Sequence, residues 1–314
     1  MLRTEKRSIL LYIIMISGNS YRDATAMLGS NMIVVKIRGG LGNQMFQYAA
    51  GRMLALANTC ELKLDLSWFK LSLSDTTARK YELGVFEIAE NFSSFTETAY
   101  LRLASAIPFL TPCYKKEASF EFDSSILKSG VNTYLDGYWQ SYKYFQLIHD
   151  VIQNDFKFKY PLTGENIRFA EQVTADANSV AVHIRRGDYI SNRNNVAFHG
   201  ICSLSYYRDA VERIRAQFAA AHFYVFSDDP SWVRENFPCD SSFTIVDHNT
   251  PDNAAQDLRL MTLCKHHIIA NSTFSWWGAW LCRNPGKVVI APQRWFNDPR
   301  MNSQDLIPDT WIRI

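Results

Sequence analysis

Two adjacent arginines, Arg185 and Arg186, sit in the run His183-Ile184-Arg185-Arg186-Gly187-Asp188. A guanidinium is planar, permanently charged and able to grip phosphate oxygens in pairs. Asp188 could orient one of the two, and the same run would also serve as a surface ion pair. Two further polar clusters carry related chemistry. Ser227-Asp228-Asp229 offers a hydroxyl and two carboxylates, and Asn271-Ser272-Thr273-Phe274-Ser275 offers an amide and several hydroxyls. Together the three could make a nucleotide site. Arginines would take the diphosphate, a carboxylate the base or ribose hydrogens, and hydroxyls with helix-end amides the phosphate oxygens. Each cluster also has a structural reading, because Ser-Asp-Asp caps helices and Asn-Ser-Thr makes turns.

Other motifs narrow the chemistry. Gly40-Leu41-Gly42-Asn43-Gln44-Met45 half-matches the dinucleotide fingerprint, with Asp65 further on. Met45, however, stands where close helix–strand packing calls for a third glycine, which argues against a nicotinamide cofactor. No Gly-x-x-x-x-Gly-Lys-[Ser/Thr] loop occurs, and no Asp-x-Asp occurs anywhere. Without paired carboxylates for a divalent ion, arginines would have to neutralise a departing diphosphate themselves.

These groups need elements to hold them. Ile33–Ile37 reads as a buried strand, followed by a turn at Gly39, Gly40 and Gly42. Asn43 is expected to cap a helix whose apolar face is Phe46, Ala49, Ala50, Met53, Leu54 and Ala57. Glu61–Leu66 then completes a strand–helix–strand unit. Residues 67 to 130 look irregular, with long loops and a few helices, before a strand at Val131–Leu135. Strands are expected at Val180–Ile184, Phe223–Phe226, Phe243–Val246, His267–Ala270 and Val288–Ile290. A helix over Leu204–Phe218 is capped by Ser203 and buries Tyr207, Ala210, Val211, Ile214 and Phe218. Such alternation implies parallel sheets with right-handed crossovers, and places all three polar clusters at strand ends. Ligands of open α/β sheets gather there.

A chain of 314 residues suits two domains. The best linker stretch, Lys157 to Asn166, divides it into residues 32–165 and 166–314. Apolar content of 47% and 20% charged residues are those of a globular protein, and a net charge of +2 argues against a nucleic-acid partner. Cys60, Cys113, Cys202, Cys239, Cys264 and Cys282 form no Cys-x-x-Cys pair, so reduced, buried thiols are expected rather than disulfides or zinc. His266 and His267 would face opposite ways in a strand, which speaks against shared metal ligation. Residues 1–31 are expected to lie outside the fold as an N-terminal extension. A weak membrane anchor or a signal peptide are the alternatives, given Arg3, Lys6, Arg7, the short apolar run Ile9–Ile16 and Ala24-Thr25-Ala26.

Four blocks in order resemble the bacterial galactoside α-1,2-fucosyltransferases: Gly39 to Ala49, His183 to Tyr189, Phe226 to Asp229, and Ala270 to Leu281. The resemblance covers the chain from about Met32 and leaves residues 1–31 without a counterpart. It implies a GT-B fold, two Rossmann-like domains facing each other across a cleft, with an acceptor-side N-terminal domain and a donor-binding C-terminal one. It also implies inverting, metal-independent transfer of L-fucose from GDP-β-L-fucose to the 2-hydroxyl of a terminal galactose. Arg185 and Arg186 match the family's His-x-Arg-Arg-x-Asp arginines, associated with the GDP diphosphate, and His183 and Asp188 belong to the same motif. By looser analogy with α-1,6- and protein O-fucosyltransferases, Asp228 or Asp229 would face guanine or ribose. Asn271 and Ser272 to Ser275 would meet the phosphates, and Asn43 the junction of donor and acceptor. The catalytic base stays open between His199 and Asp188. No cofactor or metal is expected. The expected partners are GDP-fucose and a galactose-terminated oligosaccharide or lipid-linked glycan, in the cytoplasm, with a peripheral position at the inner membrane left open. A non-catalytic glycan- or nucleotide-sugar-binding protein on the same scaffold is the alternative.

Overall fold

A computed structural model describes residues 31–70, 79–104, 113–186, 200–298 and 301–314, and among these described residues the chain forms ten strands and eight α-helices. It divides at Phe156/Lys157 into two units, at the head of the expected linker stretch.

In the first unit, β1 (Met32–Lys36) is a run of buried apolar residues paired in parallel on both sides, with β2 (Glu61–Asp65) and β4 (Thr133–Asp136). Being covered on both faces explains why it is continuously apolar rather than alternating. The edge strand β3 (Cys113–Lys116) completes the order β2-β1-β4-β3. It was not expected, because four residues ending in Lys-Lys on a half-buried edge carry no apolar run. Helix α1 (Leu41–Ala57) packs so closely that a Cβ at Gly51 would stand 2.9 Å from Leu62 Cδ1 and 3.2 Å from Val35 Cβ. On the opposite face, Tyr100 and Leu101 of α2 (Phe95–Ala104) bury Met32, Val34 and Tyr134.

The start of α1 corrects the expected cap. Gly39, at φ +77°, turns the chain early, and the helix begins after Gly40 with no side-chain cap. Asn43 therefore lies inside the first turn. Its Oδ1 accepts instead from Gln140 Nε2 at 2.9 Å. Of the expected apolar stripe, Ala57 is exposed at the frayed end. The unit closes with α3 (His149–Asp155), whose Asp155 accepts from Tyr48 and Arg52 of α1 at 2.8 and 2.9 Å.

The second unit holds β5 (Ser179–Ile184), β6 (His222–Ser227), β7 (Phe243–Val246), β8 (His266–Ile268), β9 (Val289–Ala291) and β10 (Ile312–Arg313). All pair in parallel, in the order β10-β9-β8-β5-β6-β7. Taken in chain order within the unit, that is the doubly wound arrangement of dinucleotide-binding domains. Val180, Val182 and Ile184 face α5 (Leu204–Gln217) and Val233 of α6 (Pro230–Asn236). Ala181, Tyr224 and Phe226 face α4 (Glu165–Ala175) and α7 (Ala254–Leu263). Helix α8 (Thr273–Leu281) follows β8 and buries Trp276, Trp277 and Trp280. The Ser203 cap is present, accepting from Tyr206 N. The two-residue strand β10 was too short to expect.

All six cysteines are free, but only Cys264 and Cys282 are buried, and Cys239 is exposed. The expectation of uniformly buried thiols is corrected. His266 accepts from Val288 N through Nδ1 at 3.1 Å, while His267 is buried with Nε2 unpartnered. Among the described residues no group of three His, Cys, Asp or Glu could hold a metal ion, and no helix is long and apolar enough to cross a membrane.

Candidate active site

Strand order brings the three polar clusters together. The chain runs outward from β5 to β6 and β7, then returns to β8 on the other side of β5. Ligands bind outside the carboxyl ends at such a reversal. The clusters after β5, β6 and β8 end three neighbouring strands on this edge.

Where β5 meets β6, Ile184 pairs with Ser227, whose Oγ donates to Ile184 O at 2.8 Å. Asp228 then holds the arginines from below. Its Oδ2 lies 3.0 Å from Arg185 Nη1, and its Oδ1 accepts from Arg186 N at 2.8 Å. Asp229 works in two directions. Its Oδ1 accepts from Trp232 N at 3.1 Å and so caps α6, while its Oδ2 stands 3.7 Å from Arg186 Nε. The Arg186 guanidinium carbon lies over the Trp232 indole, 3.6 Å from the ring centroid. Arg185 is thus closely ion-paired, whereas Arg186 is held by an aromatic face and one loose carboxylate, and its Nε makes no hydrogen bond.

His183, next to last in β5, is almost fully buried, with Nδ1 unpartnered. Burial pushes its pKa down to about 4; the Asp228 carboxylate opposes this and Arg185 reinforces it. It is neutral at physiological pH. Its ring packs 5.8 Å from Phe274, joining the β5 and β8 ends.

After β8, Asn271 is a tie rather than an open group. Its Nδ2 donates to Gly200 O and Trp295 O at 3.3 and 3.2 Å, and its Oδ1 accepts from Cys202 Sγ at 3.5 Å. Ser272 caps α8 through Phe274 N, and buried Ser275 donates to Ser272 O at 3.3 Å. Thr273 and Phe274 remain half-buried at the helix start, where backbone amides and the helix dipole favour an anion.

Asp188 and His199 lie outside the described residues. Asn43 belongs to the first unit. Sequence reasoning missed Trp232, and it missed a fourth polar cluster after β7. There Asn166 and Asn249 exchange amide bonds at 3.0 and 2.8 Å, Asn249 Nδ2 donates to Asp257 Oδ1 at 2.6 Å, and His248 Nε2 bonds Asn166 Oδ1 at 2.9 Å. Burial raises Asp257 to about 6, against the Asn249 bond. The same strand-end rule applied to Asp247-His248-Asn249-Thr250 would have flagged it.

Residues 2–314 match the model of Glycosyl transferase family 11. The chain belongs to that family. The match starts at residue 2, so it includes the segment that the sequence resemblance left without a counterpart. This family 11 glycosyltransferase is 34% identical over 298 residues to an α-1,2-colitosyltransferase of Escherichia coli, covering 90% of this chain and 99% of the relative. It is 33% identical over 300 residues to the O-antigen biosynthesis glycosyltransferase WbnK of Escherichia coli, covering 88% and 99%. A galactoside 2-alpha-L-fucosyltransferase of Caenorhabditis elegans is 28% identical over 307 residues, covering 90% and 79%. The fold is GT-B: the structure of an Arabidopsis thaliana FUT1 mutant in complex with GDP aligns at a TM-score of 0.50 and 10% identity, over 91% of this chain and 78% of that one.

Proposed function

We propose that this glycosyltransferase moves L-fucose from GDP-β-L-fucose to the 2-hydroxyl of a terminal galactose, with inversion to an α-linkage and without a metal ion. The observation that carries the reading is the pair Arg185 and Arg186 at the strand reversal, each set by a carboxylate from the neighbouring strand end.

As the glycosidic bond breaks, negative charge collects on the β-phosphate of GDP. Arg186, incompletely neutralised, is the group to meet it, with Arg185 beside it and the α8 amides taking further phosphate oxygens. His183 stays neutral and adds no charge of its own. Asp229 is more exposed than Asp228, at 38% against 22% of the side chain, and is the better placed to accept from a ribose hydroxyl. The acceptor oxygen attacks the anomeric carbon from the face opposite GDP and gives its proton to His199 or Asp188. An acid limb in the rate profile that His199→Gln removes would assign the base to His199, and one that persists in that variant would favour Asp188. The acceptor is an oligosaccharide or lipid-linked glycan, encountered in the cytoplasm or at the face of the inner membrane.

The test is incubation with GDP-fucose, with and without EDTA, against galactose-terminated acceptors, with GDP-colitose in parallel. Fucose transfer that survives EDTA, with an α-anomeric product by NMR, is expected. Strict use of GDP-colitose would overturn the donor assignment, and loss of activity on chelation would overturn the metal-free chemistry. GDP binding by calorimetry separates this enzyme from a glycan-binding protein, which has no use for a diphosphate grip.

A further inference from the structure

In the second unit the parallel pairing of β5 with β8 runs from Val180↔His266 to Val182↔Ile268 and stops short of the polar clusters. The next residue on each strand is held from α5 instead. Tyr207 Oη donates to His183 O at 3.0 Å. Tyr206 Oη donates to Ile269 O at 2.6 Å and shares its proton with Ile290 O of β9 at 3.2 Å. Both side chains are buried, and their rings meet edge to face with centroids 5.0 Å apart. Two adjacent residues in one helical turn thus take over on both strands where the ladder stops. Carbonyls that leave a ladder need donors, and at an open strand end water can supply them. Here two side chains on one turn do so, which fixes the distance between the strand ends as water would not.

A second tie crosses the same gap. The Cys202 thiol, just ahead of α5, contacts the Tyr207 hydroxyl, accepts from Asn271 N and lies 3.5 Å from Asn271 Oδ1. Burial pushes this thiol up to about 11 against the Asn271 N–H and Tyr207 bonds, so it stays a protonated donor at physiological pH. Contacts therefore run from His183 O through Tyr207 and Cys202 to Asn271. They act close to the groups set for phosphate: His183 stands two residues before Arg185, and Asn271 directly before the Ser272 cap of α8. From the β6 side, Ser227 Oγ holds Ile184 O and Asp228 Oδ1 holds Arg186 N. The backbone that aims the arginines and the turn that aims the α8 amides are thus fixed relative to each other. A diphosphate can be gripped from both sides only if those donors stand within about 0.5 Å of the right separation. A monophosphate needs one side alone.

We propose that Tyr206 and Tyr207 are positioning residues that set the gap between Arg185-Arg186 and the α8 amides to the span of a diphosphate, so that this edge selects a nucleoside diphosphate over the monophosphate. This rests on the donor reading given under Proposed function. Calorimetry with GDP and with GMP reads it. A charge-assisted hydrogen bond is worth about tenfold in affinity, so the native chain should bind GDP at least about tenfold more tightly than GMP. Tyr207→Phe keeps the ring and removes one hydroxyl, and should cut that preference severalfold. With Tyr206→Phe added, the preference should all but vanish, while GMP affinity stays close to native. A preference that survives undiminished in the folded double variant would overturn the inference. An equal fall for both nucleotides would overturn it too, because that marks a general loosening of the edge. Should the double variant fail to fold, Tyr206→Phe and Tyr207→Phe taken singly carry the same readout. A native chain that binds GDP no more tightly than GMP would sink the diphosphate reading and this inference with it, whereas a native preference that the variants keep sinks this inference alone.

Discussion

The two arginines differ less in kind than in what holds them. Arg185 is paired at 3.0 Å with Asp228, whereas Arg186 leans on Trp232. Removing a preorganised donor of this sort costs about 10²–10³ in rate, so Arg186→Ala should lower kcat by that factor with circular dichroism unchanged. Trp232→Leu keeps Arg186 but removes its stacking face. A cation–π contact of roughly 0.5–2 kcal/mol predicts a fall in kcat of about 2- to 30-fold with little change in acceptor KM, and Trp232→Phe should restore most of it. Asp257 offers a test of opposite sign. Its folded pKa of about 6 lies above the ordinary carboxylate value, so folding favours the protonated form. The stability this gives is present below the unfolded pKa and is lost as pH rises through about 6. Asp257→Asn removes that loss while Oδ1 can still accept from Asn249. The variant should be more stable than the native chain at pH 7, by roughly 1–3 kcal/mol, and the gain should vanish near pH 4 in urea titrations. Trp232 could not be read from sequence as Arg186's support, because its role depends on where α6 lies against the β5 end.

At the scale of elements, sequence pattern sufficed where one periodicity governed a whole segment. Phe243–Val246 is the expected strand, and α5 has its expected cap and the buried stripe from Tyr207 to Ile214, with Phe218 half-buried just past its end. Pattern failed where neighbours decided the outcome. The edge strand β3 exists because β4 offers it a partner, and Asn43 serves Gln140 because Gly39 turns the chain before it. Lys287 is a further case of neighbours deciding. Its Nζ donates to Ala279 O, Trp280 O and Cys282 O at 2.8, 3.1 and 2.8 Å, closing the carboxyl end of a helix whose tryptophans fill the core. Lys287→Met would leave those buried carbonyls unmet. Loss of about 1–3 kcal/mol in chemical unfolding is expected, with GDP affinity near native because the proposed nucleotide edge lies at the other end of α8.

At the scale of the whole molecule, each unit places its polar groups on the carboxyl edge of a parallel sheet, at the point where strand order reverses. The second unit's edge carries Arg185 and Arg186 beside Asp228 and Asp229, and the first unit's carries Arg38 over Tyr138 beside Asp136, a group of different number and spacing. The two edges should therefore answer to different ligands. Binding to the folded state stabilises it by about 2.7 kcal/mol at a hundredfold excess over Kd, and local protection follows the segments that make the contacts. GDP should slow amide exchange after β5, after β6 and in the first turn of α8. Lactose should slow it in residues 137–140 and in the first turn of α1. Hydrogen-exchange mass spectrometry with each ligand alone reads both. Protection by GDP at 137–140 equal to that after β5 would show that the loop follows the nucleotide, and the assignment of separate edges to donor and acceptor would fall.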